Sequence, residues 1–105
     1  MSRIPILLGY LEADPDDAFT RFALALEYIK ESDHTRALEL FEGLVNDQPE
    51  YVGTYYHLAG LYRELNRGDE ARATYEAGIA VASRLGDRHA ESELRGALLE
   101  LEIEG

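Results

Sequence analysis

Residues 24–28 read Leu24-Ala25-Leu26-Glu27-Tyr28, and residues 58–62 read Leu58-Ala59-Gly60-Leu61-Tyr62. Leucine, alanine and tyrosine coincide at a shift of 34 positions. Farther on, Ala37 and Phe41 fall on Ala71 and Tyr75 at the same shift. A fixed period of this length marks a repeat array, in which stacked helix pairs share a continuous core.

The period extends upstream. Pro15 lies 34 before Pro49, Gly9 meets Gly43, Leu7 meets Phe41, and Leu11 meets Val45. Residues 4–13 therefore read as the second helix of a repeat lacking its first, placed to cover the open side of the first full pair. Downstream the period fails, because the shift sets Ser92 on Leu58 and Gly96 on Tyr62. Ala90, Leu94, Ala97, Leu98 and Leu101 still form one apolar stripe, with Glu91, Arg95, Glu100 and Glu102 opposite. That is the pattern of a terminal capping helix.

Between these ends, four helices are predicted. The first covers about 16–31, where Phe19, Phe22, Ala23, Leu26 and Ile29 recur at three- and four-residue steps. Asp14-Pro15 would supply its N-cap and first-turn proline. Ser32-Asp33 breaks it. The second runs over about 34–46 with Ala37, Leu38, Phe41, Leu44 and Val45 on its apolar face, and Asp47-Gln48-Pro49 stops it. The third covers about 50–65 with Tyr55, Leu58, Ala59 and Tyr62, and turns at Asn66-Arg67-Gly68. The fourth covers about 69–85 and ends at Gly86-Asp87.

These residues resemble the tetratricopeptide repeat, a 34-residue helix-turn-helix unit. One copy offers Leu24, Ala25, Tyr28, Ala37, Phe41, Leu44 and Pro49, and the next Tyr55, Leu58, Ala59, Tyr62, Ala71, Tyr75 and Gly78. The resemblance implies an all-α solenoid of about six helices in a single domain, residues 1–105. It would hold a half-repeat (4–13), two full repeats (16–49 and 50–85) and a capping helix (87–104). Two positions depart from the pattern. Arg21 stands where a large apolar residue is usual, with Phe22 beside it, and Ser83 replaces the closing proline, which lets the preceding helix run longer.

Such proteins bind peptides or helices in a concave groove lined by the first helix of each pair. The groove positions that the resemblance implies are Phe19, Phe22, Leu26 and Ile29, then Gly53, Tyr56, Gly60 and Arg63. Phe22 and Tyr56 would anchor a partner and Arg63 would pair with an acidic group. A glycine within a helix costs about 1 kcal/mol relative to alanine, so Gly60 asks for a packing reason, such as a shallow slot beside Tyr56. Phe22 and Leu26 cannot donate hydrogen bonds, which argues against a clamp for a peptide's terminal carboxylate. The alternative is a structural role, homo-oligomerisation (a homodimer, for instance) through the same apolar face. A small-molecule binder is a more distant third.

Composition narrows the classes. The chain of 105 residues carries a formal net charge of −11. This speaks against nucleic acid, whose phosphates need lysine and arginine, and against anionic membrane surfaces. An acidic surface with Lys30 as its one lysine is what a salt-rich cytoplasm favours, and it also fits ordinary acidity with arginine-biased usage. There is no cysteine, so neither disulfides nor thiolate metal sites are available, as fits a reducing compartment. No apolar run reaches the roughly 20 residues of a membrane span. The apolar start, residues 1–11, lacks the flanks of a secretory signal. A cytoplasmic location is expected.

Nothing in the chain points to catalysis. His34, His57 and His89 are not at metal-binding spacing, and His57 reads as a partly buried structural histidine. Asp14, Asp16 and Asp17 lack the glycine and distant glutamate of a calcium loop. No G-x-S-x-G, phosphate-binding or dinucleotide-binding motif occurs. The reading is a protein-interaction module, not an enzyme, with no catalytic residue, metal or cofactor and a protein or peptide as partner.

Overall fold

The structure is a computed structural model that describes residues 2–104. Among these it holds six helices: α1 (Ile4–Ala13), α2 (Ala18–Lys30), α3 (His34–Asp47), α4 (Gly53–Glu64), α5 (Gly68–Leu85) and α6 (Arg88–Glu104). The chain divides into two compact units, Met1–Tyr51 and Val52–Gly105.

In the first unit, α2 and α3 form a hairpin and α1 packs on α2. The helix starts are written in aspartates. Asp17 accepts a hydrogen bond from the Thr20 amide and Asp33 one from the Arg36 amide, each filling an otherwise empty donor in a first turn. The α2 cap is therefore Asp17 rather than Asp14, and Pro15 lies in the turn before it. Pro5 occupies the first turn of α1, where a missing N–H costs nothing. Leu24, Ala25, Ala37, Phe41 and Leu44 are buried almost completely. Tyr28 is only half-buried, with the Arg36 guanidinium 5.9 Å from its ring centre.

In the second unit, α4 and α5 form a hairpin, and α6 packs on α5 and also touches α4. Tyr55, Leu58, Ala59, Leu61, Tyr62, Ala71, Tyr75 and Ala82 fill its interior, with Leu94, Ala97 and Leu101 from α6. Gly78 is the point of closest approach: a Cβ there would stand 2.5 Å from the Tyr55 Cβ and 3.1 Å from Leu94 Cδ1. As Ser83 permits, α5 runs to 18 residues against 14 for α3. Gly86 then ends it in a left-handed conformation, φ 72°, and Asp87 caps α6 through the Ala90 amide. The helix expected from Glu50 starts at Gly53, because Pro49 to Tyr51 form a turn.

The two hairpin turns share one backbone form. Ser32 and Asn66, 34 apart, have φ of 58° and 59°. In each turn the next amide, Asp33 or Arg67, donates 2.8 Å back to the carbonyl of the repeat tyrosine, Tyr28 or Tyr62. The period is thus kept in the backbone even where the side chain is not the one a left-handed position prefers.

Candidate functional site

On α2, the face expected to meet a partner is Phe19, Phe22, Leu26 and Ile29. Phe19 is 64% exposed, the most open aromatic of that face. The other three are half-buried. Phe22 turns inward enough to meet two rings, with centroids 6.0 Å from Phe41 and 5.7 Å from Tyr51, both tilted. Such offset contacts are the favoured aromatic geometry. Phe22 therefore belongs mostly to the packing of its own unit, in keeping with its standing next to Arg21.

Arg21 itself takes an unexpected course. Its guanidinium crosses α3 at Gly43, where a Cβ would lie 2.7 Å from Nη2, and reaches Asp47 at 3.0 Å. The side chain is 11% exposed, and its Nη1 is buried without a hydrogen-bond partner. Asn46 and Arg21 both donate to Asp47 and hold its carboxyl below the usual range. Gly43 is what lets a charged side chain pass where the other repeat seats Tyr55. Sequence reading registered Arg21 as a departure and Gly43 as a match to Gly9, but did not join the two.

On α4 the corresponding residues are Gly53, Tyr56, Gly60 and Arg63. Gly53 opens the helix and is exposed. Tyr56 is 41% exposed, with its ring set edge-on to His57 at 5.5 Å. A Cβ at Gly60 would meet nothing within 4 Å, so no neighbour in this chain demands the glycine. Arg63 does not stand open for an acidic partner. It donates to Glu104 at 2.6 Å, and a hydrogen bond with Tyr75 first, then the one with Glu104, holds its pKa above the ordinary value. The carboxylate expected of a partner is supplied by α6.

His57 is half-buried, and desolvation lowers its pKa against a smaller opposing pull from Glu93. Glu27, nearly buried, pairs with Lys30 at 3.0 Å, and that hydrogen bond is the main cause of its lowered pKa. Among the described residues no three histidine, aspartate or glutamate side chains gather to hold a metal ion. No described helix is long and apolar enough to cross a membrane.

These are the features of an all-α repeat protein whose first helices leave aromatic surface in water. The tetratricopeptide repeat family signature matches residues 28–85, and the chain belongs to that family, a general protein–protein interaction fold. A tetratricopeptide repeat domain protein of Salinibacter ruber, solved in solution, is 53% identical, with a TM-score of 0.82 over 85% of this chain and 90% of that one. A TPR repeat-containing protein of Pseudomonas aeruginosa is 35% identical over 83% of each chain. The cellulose synthase operon protein C of Pseudomonas fluorescens is 35% identical over 73% of this chain, which spans only 6% of that protein's length.

Proposed function

We propose that this protein is an interaction module that holds a peptide or helix of another protein against the first helices of its repeats. The observation that supports it is the exposure of Phe19 on α2 and Tyr56 on α4. Rigid aromatics offer large contact area at low conformational cost and recur as binding anchors. Leu26, Ile29 and the visible edge of Phe22 would extend the apolar contact around Phe19. Gly53 and Gly60, flanking Tyr56 on one helical face, would let a partner's backbone come close. Arg63 would meet a partner's acid only by exchanging it for Glu104. The net charge of −11 favours basic partners, a preference that salt weakens. No step of catalysis and no cofactor enters this reading, and the surroundings in which it would operate are cytoplasmic.

The test is selection from a displayed peptide library, followed by affinity measurement on synthetic copies of the enriched peptides. Phe19→Glu and Tyr56→Glu change exposed side chains and should leave the melting temperature nearly unchanged. At least one should weaken binding tenfold or more. Binding that survives both substitutions, or a library that yields no enriched peptide, would refute the proposal.

A further inference from the structure

Glu27 on α2 stands 34 residues before Leu61 on α4. Leu61 is 2% exposed, and Glu27, a carboxylate at the equivalent position, is 9% exposed. A charge in so covered a place is costly unless it is paired and hydrogen-bonded. Its partners come from the start of α1 and from the next turn of α2. The Arg3 backbone N–H donates to it, and Lys30 Nζ lies 3.0 Å from Oε2. Ser2, Arg3, Lys30 and Glu31 line the hollow around it.

Glu27 thus does for α1, from a neighbouring helix, what Asp17, Asp33 and Asp87 do for α2, α3 and α6. Arg3, at the cap position of α1, makes no side-chain cap bond. Ser2 accepts from the Ile4 amide at 3.1 Å, in the open. The Arg3 amide goes to Glu27, whose negative charge also suits the positive end of α1. Apolar contact adds little to this hold. α1 buries Leu7, whereas Ile6, Leu8 and Tyr10 are 60%, 44% and 59% exposed. A helix of 10 residues is marginal alone in water, so α1 keeps its form by staying seated.

We propose that the Glu27 carboxylate is the latch that seats α1 on α2, and that protonating it releases α1 while the α2–α3 hairpin stays folded. An ionised acceptor makes the stronger hydrogen bond. The neutral acid loses the attraction of Lys30 and Arg3 and remains a polar group in a covered place. The direction of titration agrees. The hydrogen bond from Lys30, opposed by desolvation and aided by the charge of Lys30 and by the amide and charge of Arg3, holds the Glu27 pKa below 4.5. Released, the group returns to its ordinary value and takes up a proton more readily. The latch is therefore at full strength above about 4.5 and is lost as pH falls through the seated value. Release bares Leu7 and the flank of α2 beneath it.

Amide hydrogen exchange read by NMR tests this residue by residue, from about pH 6 to about pH 3. In the unaltered chain the amides of Leu7 to Ala13 should open more readily than those of Leu38 to Leu44 on α3. Their protection should also fall about tenfold further over that range. Glu27→Leu, which copies Leu61, should keep α1 seated throughout. Its profile also shows what other carboxylates, such as Asp17 and Asp33, contribute. Glu27→Gln is neutral at every pH, so α1 should open about tenfold more at pH 6 and its profile should flatten. An α1 that exchanges only together with α3 would overturn the proposal. So would Glu27→Gln as protected as the unaltered chain, or Glu27→Leu losing α1 protection in acid as the unaltered chain does.

Discussion

Two helical glycines have opposite meanings. At Gly78 the Tyr55 Cβ occupies the space a methyl would need, and that atom cannot swing aside as a side-chain tip would. Gly78→Ala should lower stability by about 1–3 kcal/mol through overpacking. At Gly60 the space is open, and Gly60→Ala should raise stability by up to about 1 kcal/mol through helix propensity. Urea melts of the two variants would show shifts of opposite sign. Equal signs would mean that one site has been placed wrongly. His57 gives a pH signature. Its folded pKa lies below its ordinary value of 6.5, so between the two the unfolded chain binds the extra proton. The stability from this site is full above about 6.5 and is lost as pH falls toward the folded value. A melting-temperature profile should slope down there, and His57→Phe should flatten it.

Helix identity and placement were legible in the chain because apolar period and turn residues agreed. Ala37 and Ala71 at matched positions both proved fully buried, and Ser83 did let α5 extend. The candidate site was less legible. Phe19, Phe22, Leu26 and Ile29 share a helical stripe, but a stripe does not say which members a partner would see. The rings of Phe41 and Tyr51 capture Phe22 and leave Phe19 in water. Both captures depend on α3 and the turn after it, contacts that no local pattern reports. The Glu104 partner of Arg63 was hidden for the same reason, since it lies 41 residues away. The turns carry a prediction of their own. Ser32 holds φ 58° at the position where the other repeat has Asn66. A left-handed backbone costs a β-carbon-bearing residue about 1–2 kcal/mol. Ser32→Gly should recover about 1 kcal/mol of that cost, read as a higher denaturant midpoint at constant slope.

The whole molecule carries a net charge of −11 on 105 residues. Self-repulsion of this size opposes the compact state and is screened within about 10 Å at 0.1 M salt. Raising sodium chloride from about 10 mM to about 150 mM should therefore raise the melting temperature. A flat or falling response would mean that surface pairs such as Arg36–Asp33 and Arg67–Glu70, at 2.7 and 2.6 Å, outweigh the net repulsion. The same screening should weaken capture of basic peptides, so stability and affinity are expected to respond to salt in opposite directions.

The passage of Arg21 over Gly43 bears on how far the repeats are interchangeable parts. Repeat proteins are often re-engineered by exchanging helices between copies, on the premise that equivalent positions tolerate equivalent residues. Here α2 and α3 are fitted to each other: a side chain at position 43 would push the tip of the guanidinium aside from its course to Asp47, and a shorter residue at position 21 would leave Asp47 without its cation. A chimaera that takes one helix of this hairpin and not the other would inherit half of a matched lesion, so the pair must be transplanted as one cassette.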